Sequence, residues 1–207
     1  MDETEIHHAS CNEFASVHEP ACQHIFGRLD VVVNNAGYGV MGTFEEQASE
    51  QFVGQMDVNF WGMVNVCQVA PDTSQQRSGH IMNVTSIGGR RARQGLSGYQ
   101  TAKFAVEGFS ELLFHELKAI DVKMTLVEPG GFRTDWAGAS MTFTESMKEY
   151  EPAISPFREF MKNYAGTEPG DPVKAAGVLF AISRMEEPPM RLVLGRFAKQ
   201  HMKKGMR

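Results

Sequence analysis

Short β-branched runs, each followed by small or amide residues and then by a helical period, constrain this chain more than any other feature. The first is Leu29-Asp-Val-Val-Val33, which leads directly into Asn34-Asn-Ala-Gly37. A continuous β-branched run, instead of an alternating one, predicts a parallel strand covered on both faces. Similar runs recur at His80–Thr85, Val122–Val127 and Arg191–Gly195. Between them the spacing predicts helices over Thr43–Met56, with Thr43 as N-cap, then Asp57–Val69 and Tyr99–Ile120. Asp171-Pro172 supplies an N-cap and first-turn proline for another helix to about Met185. A further helix is expected from Asn12 to Phe26, started or kinked by Pro20. Strand alternating with helix predicts an α/β fold around a mainly parallel sheet.

With 207 residues the chain suits one domain with a real core. Residues 1–11 read as a frayed N-terminus, 12–195 as the folded unit, and 196–207 as a solvated basic tail. A net charge of −5 argues against nucleic acid as the main partner. Three cysteines form no even framework, and the opening MDETEIHHAS resembles no signal peptide. No stretch approaches the roughly 20 apolar residues of a membrane span. A cytoplasmic protein is expected. His18-x-x-x-Cys22-x-His24 is a loose chelating pattern, but its spacing fits no standard zinc site, so no metal is expected.

The chemistry-bearing stretch is Ser86–Lys103. If Tyr99 opens a helix, Lys103 lies one turn on, on the same face, and a strand ending at Ser86 brings a hydroxyl to the pair. Tyr99 alone also fits a helix-start aromatic, and Lys103 a solvated lysine. Asn34–Gly39 fits either a ligand site at a strand's carboxyl end or a simple turn. Along the following helix Tyr99, Lys103, Val106, Ser110, Leu113 and Leu117 share one side, and Phe104, Ala105, Gly108 and Leu112 the other. From Trp136 to Tyr164 bulky apolar residues occur without a clean period. Either a lid over an apolar substrate or an ordinary helical excursion would look like this.

Asn34-Asn-Ala-Gly37, Asn59, Ser86, Tyr99-x-x-x-Lys103 and Pro129-Gly130 occur together and in order. In this the chain resembles the short-chain dehydrogenases/reductases, over roughly Gly27 to Gly195. The resemblance implies a Rossmann-like doubly wound sheet and an NAD(P)-dependent oxidoreductase interconverting an alcohol and a ketone or aldehyde. Ser86–Trp136 is similar to members acting on apolar substrates. The implied catalytic residues are Asn59, Ser86, Tyr99 and Lys103. Tyr99 would be the acid or base, Ser86 would bond the substrate oxygen, and Asn59 would order a relay water. A lysine ammonium near the phenol is expected to lower a pKa that is ordinarily about 10. The resemblance implies NADP (or NAD) held by Asn34, Ala36, Gly37, Tyr99, Lys103, Pro129, Gly130 and Thr134, with a homo-oligomer formed through the Tyr99–Ile120 helix.

The family's opening strand and Gly-rich phosphate turn have no counterpart before Leu29. Asp30–Val33 then corresponds to the fourth strand, three strands are expected to be missing, and the gap is roughly 60–80 residues at 30 or more per βαβ unit. The strand at Asp30–Val33 is expected to expose an apolar edge. A truncated, catalytically impaired chain acting as a binding partner is the alternative function.

Overall fold

The computed structural model describes residues 28–69 and 77–204. Four strands, β1 (Val31–Asn34), β3 (His80–Val84), β4 (Lys123–Pro129) and β6 (Arg191–Leu194), form one parallel sheet in the order β1-β3-β4-β6. Val31 stands opposite His80, His80 opposite Lys123, and Leu126 opposite Arg191. All four carboxyl ends therefore face the same way. The expected α/β architecture with a parallel sheet is what the chain adopts.

Alternate residues of the strands face opposite layers. Leu126 packs with Met63, Val64 and Val106, which come from the helices α2 (Gly62–Val69) and α3 (Ser97–Leu117). Met82, Val127 and Leu194 face the other way, against Ile182, Ala175 and Leu179 of α5 (Pro172–Ser183). Burying each such side chain stabilises the fold by about 1.5–3 kcal/mol. Asp171 caps α5 as expected, accepting from the N–H groups of Val173 and Lys174, with Pro172 in the first turn.

A second small sheet lies apart from the main one: β2 (Gly39–Met41) pairs in parallel with β5 (Met141–Phe143). Beside it runs α4 (Glu151–Tyr164). The region without a clean period is thus a strand and a helix, clamped to the body by a buried ion pair. Arg158 of α4 donates to Glu46 at 2.9 Å and to the Thr144 carbonyl at 2.7 Å. Burial alone would raise the Glu46 pKa. The N–H groups of Met147 and Thr43, with Arg158, outweigh it and hold the carboxyl below its usual range.

That clamp corrects the expected helix start. Because Glu46 holds the Thr43 N–H and reaches Arg158, residues 44–46 stay in a turn, and α1 (Ser49–Met56) begins six residues later than Thr43. The Ala48 N–H then donates to Gln51 Oε1 at 3.0 Å. The break expected near Asp57 is absent: a π-helical segment, Asp57–Trp61, carries α1 into α2. The residues read as a solvated tail form α6 (Arg196–Lys204), whose Ala198 is fully buried against Gly130. Here a small residue lets a basic helix sit on backbone. The Asn12–Phe26 helix and the His18/Cys22/His24 cluster lie outside the described residues.

Among the described residues β1 is the edge of the main sheet, and Val31 and Val33 are exposed. No described helix is long and apolar enough to cross a membrane. No group of three or more described His, Cys, Asp or Glu residues is placed to hold a metal ion.

Candidate active site

The site grows from the carboxyl end of β3. The Thr85 N–H donates to the Val127 carbonyl at 2.8 Å, which keeps the chain in the sheet one residue beyond the strand. Ser86 then starts a 3₁₀ turn, Ile87–Gly89, and its Oγ accepts the Gly88 N–H at 3.0 Å. Ser86 keeps its own proton to donate. The turn lies directly on α3, where a Cβ added to Gly89 would stand 2.8 Å from the Lys103 carbonyl oxygen and 2.7 Å from Thr85 Oγ1. Only glycine allows that approach. It sets Ser86 against the helix that carries Tyr99 and Lys103.

The two faces expected of α3 hold. Tyr99, Lys103, Val106 and Ser110 are buried, whereas Phe104, Gly108 and Leu112 are exposed. Ser110 Oγ accepts from the Asn83 amide at 2.8 Å, and Asn83 Oδ1 accepts from Asn34 at 2.8 Å, so a buried polar chain fastens α3 to β3 and β1. Asn34 therefore points into the fold, not toward a ligand. Ala36 is exposed and does not line the cavity described below.

Burial dominates the electrostatics of the pair. It pushes the Tyr99 phenol up to about 12, against the opposing effect of a hydrogen bond with Ser86. It also brings the Lys103 ammonium down to about 8. Lys103 Nζ donates to the Val84 carbonyl at 2.9 Å and stands 5.9 Å from the centre of the Tyr99 ring. The expected lowering of the phenol by the ammonium is thus reversed, because lost hydration of the phenolate outweighs a cation committed to a backbone oxygen. Protonated Tyr99 is the state the fold favours.

Asn59 sits in the π-helical segment with its amide bonded to backbone at three points. It donates to the carbonyls of Tyr38 (3.0 Å) and Gln55 (2.9 Å), and its Oδ1 accepts the Tyr38 N–H at 3.1 Å. A Cβ on Gly37 would meet Asn59 Oδ1 at 2.6 Å and Lys103 Nζ at 3.6 Å. Asn59 thus holds the Gly37-Tyr38 backbone beside Lys103. Both ends of its amide are bonded to backbone.

Ser86, Tyr99 and Lys103 share one cavity of about 750 Å³ with Gly37, Pro129, Gly130 and Thr134. It lies at the carboxyl ends of the strands, where α/β sheets bind ligands. Much of the wall is apolar: Leu96, Phe132, Trp136, Phe157, Phe160 and Met161 contribute. Trp136 packs on Tyr99 with ring centres 5.0 Å apart, and its indole N–H is buried with no partner among the described residues. Glu168 also lines the cavity. Trp136 opens the stretch expected to be either a lid or a helical excursion, whereas Glu168 was not legible as a lining residue, since no pattern marks it.

Beneath the cavity, Glu128 is wholly buried at the end of β4. Arg191 Nη1 donates to Glu128 at 2.8 Å and also to Glu107 of α3, and Arg90 reaches Glu128 at 3.3 Å. Burial, opposed by the Arg191 hydrogen bond, leaves Glu107 above its usual range. This network ties α3, the 3₁₀ turn and β4 together just before Pro129-Gly130.

These residues fit the nicotinamide-ribose half of a dinucleotide. Lys103 Nζ, Pro129, Gly130 and Thr134 line the open wall, and the bare Gly37 backbone leaves room beside Lys103. Among the described residues no Gly-rich turn leads from a strand into a helix N-terminus beside β1 to receive the pyrophosphate.

The family model for short chain dehydrogenase matches residues 9–144. Oxidoreductase BOA17 of Botryotinia fuckeliana is 43% identical over 171 residues, which is 82% of this chain and 62% of that protein. The 3-ketodihydrosphingosine reductase of Bacteroides thetaiotaomicron is 35% identical over 172 residues, 82% of this chain and 64% of that protein. The chain thus spans less than two thirds of the length of these relatives. A short-chain dehydrogenase from Streptomyces avermitilis superposes with a TM-score of 0.86 at 30% identity, covering 94% of this chain and 71% of that one. A metagenomic short-chain oxidoreductase solved with NADP superposes with a TM-score of 0.53 at 27% identity, over 58% of this chain and 54% of that one.

Proposed function

This chain belongs to the short-chain dehydrogenase family, and on that premise we propose that it interconverts an apolar alcohol and the matching ketone or aldehyde, with NADP or NAD as hydride carrier. The carrying observation is the meeting of Ser86, Tyr99 and Lys103 on one wall of an apolar cavity. The relative named 3-ketodihydrosphingosine reductase supports a ketone as one side of the reaction. The structure solved with NADP supports the cofactor class.

When bound, the nicotinamide supplies or takes up the hydride. The chain's own residues manage the oxygen and its proton. The substrate oxygen takes a place between the Ser86 and Tyr99 hydroxyls, which hydrogen-bond each other in its absence. Ser86, its Oγ held by the Gly88 N–H, donates to that oxygen and draws charge onto it. Tyr99 delivers its proton as the carbonyl becomes an alcohol, or takes one in the reverse direction. With its pKa pushed up to about 12, Tyr99 carries its proton at neutral pH. Lys103, Pro129, Gly130 and Thr134 hold the nicotinamide-ribose end, and Asn59 keeps Gly37-Tyr38 in place beside Lys103. The outer face of α3, with Phe104 and Leu112 exposed, receives a second copy of the chain.

Titration with NADPH followed by fluorescence tests the cofactor arm. Saturable binding is expected, and its absence would overturn the enzyme function for this chain. Tyr99→Phe should keep that binding and lose about 10²–10⁴-fold in turnover, the usual contribution of a positioned proton donor. A turnover unchanged by the substitution would remove Tyr99 from the role.

A further inference from the structure

Arg93 is exposed at the mouth of the cavity that holds Ser86 and Tyr99. Its guanidinium carbon lies 4.7 Å from the centre of the Phe157 ring, which is itself part of the cavity wall. The backbone beneath it is fixed from both sides. The Arg93 N–H donates to Oε1 of the buried Gln100 on α3 at 2.8 Å, and Gln94 Nε2 donates to the Ala153 carbonyl on α4 at 3.3 Å. Arg90, Arg133, Arg158 and Arg191 each have a carboxylate partner. Among the described residues no carboxylate pairs with Arg93. Arg91, from the same segment, lines the cavity as well.

Holding α4 does not require this charge, since Gln94 and the Arg158–Glu46 pair already fasten that helix. A guanidinium over a ring keeps its N–H donors, and their fork matches a carboxylate. The ring also keeps water off one side of the cation, which strengthens an ion pair formed there. Leu96, Trp136, Phe160 and Met161 supply a wall that suits an apolar body. Asp135 is exposed at this cavity too, but it follows Thr134 on the wall given to the nicotinamide-ribose end. From this we infer that Arg93 is a specificity residue that receives a carboxylate at the end of an otherwise apolar substrate, which makes the preferred substrate a keto or hydroxy carboxylic acid. The inference rests on the proposed function only in taking the cavity as the substrate's.

Binding in the absence of cofactor tests it, so its outcome is separate from that of the NADPH titration. Calorimetric titrations of the full chain would compare three probes of one chain length: octanoate, 1-octanol and octylammonium. Octanoate should bind about fivefold or more tightly than octanol, because its hydrogen bonds to Arg93 are charge-assisted, and octylammonium most weakly. In Arg93→Gln octanol should bind as before and the preference for octanoate should disappear. Arg184 also lies over a ring, Phe180, but does not line the cavity. Arg184→Gln removes the same charge there and should leave the preference intact. Equal binding of octanoate and octanol to the unaltered chain would overturn the inference. A preference that survives in Arg93→Gln would overturn it too, and so would a loss of all three probes in equal proportion, which marks a purely structural arginine. The comparison on the unaltered chain stands even if a variant does not fold. If NADPH binds and the preference is missing, the oxidoreductase assignment stands and the carboxylate subsite falls.

Discussion

His80 shows at a single residue how burial sets ionisation in this fold. Thr125 donates its hydroxyl proton to the Pro189 carbonyl at 2.8 Å, so it can only accept from His80 Nε2–H at 2.9 Å. The ring is therefore the neutral Nε2–H tautomer, and Nδ1 has no partner among the described residues. Burial, helped by the nearby Lys123 charge, brings its pKa down to about 4. Between pH 6.5 and about 4 the unfolded chain binds a proton that the folded chain refuses, so stability falls as pH falls through that window. The loss should reach about 2–3 kcal/mol, because each tenfold weakening of proton binding in the folded chain is worth about 1.4 kcal/mol. His80→Gln keeps a donor for Thr125 and removes the titration. Urea unfolding of the variant should therefore lose much of its pH slope across that window, and an unchanged slope would clear His80 of the effect. The convergence of side chains was legible in the sequence where spacing placed them, as with Tyr99, Lys103 and Ser86. Asn34 was misplaced because its partner, Asn83, lies 49 residues on, and no local pattern announces that hydrogen bond.

Among the elements, α4 explains best what the sequence concealed. Its buried residues are Ile154, Arg158 and Met161, which stand at helical spacing. The middle one is an arginine, and Pro156 interrupts the run, so an apolar period could not be seen. Arg158 is buried because Glu46 is its charge partner, 112 residues away in the chain, and neither makes sense without the other. The π-helical segment was equally hidden, since one extra residue per turn leaves the apolar pattern of Asp57–Val69 almost unaltered. Glu46→Ala should cost about 3–5 kcal/mol, because it leaves a buried guanidinium without its charge partner. Urea unfolding measures this directly, and a loss below about 1 kcal/mol would show that the pair behaves like an exposed one.

For the whole molecule, the parallel α/β sheet was legible because each strand announces itself by an apolar run and each crossover by a helix. What escaped was the second layer over the site, built by pairing short segments far apart in the chain. Arg158 and Glu46 are separated by 112 residues, Met147 and Glu46 by 101, and β2 meets β5 at similar range. Contacts of that span carry a large loop-closure cost and form after local ones. The neighbouring β3 and β4 and the long α3 lie at the centre of the structure, bound on both sides. Hydrogen exchange should therefore divide the molecule in two, with amides of β5 and α4 exchanging at least tenfold faster than those of β3 and β4. Uniform protection would show a single cooperative unit instead. The Glu46–Arg158 clamp thus has a meaning in time as well as in energy. If the exchange pattern divides in this way, the walls that make the cavity apolar open before the rest, and a guest can enter through partial unfolding of β5 and α4 while β3, β4 and α3 stay folded.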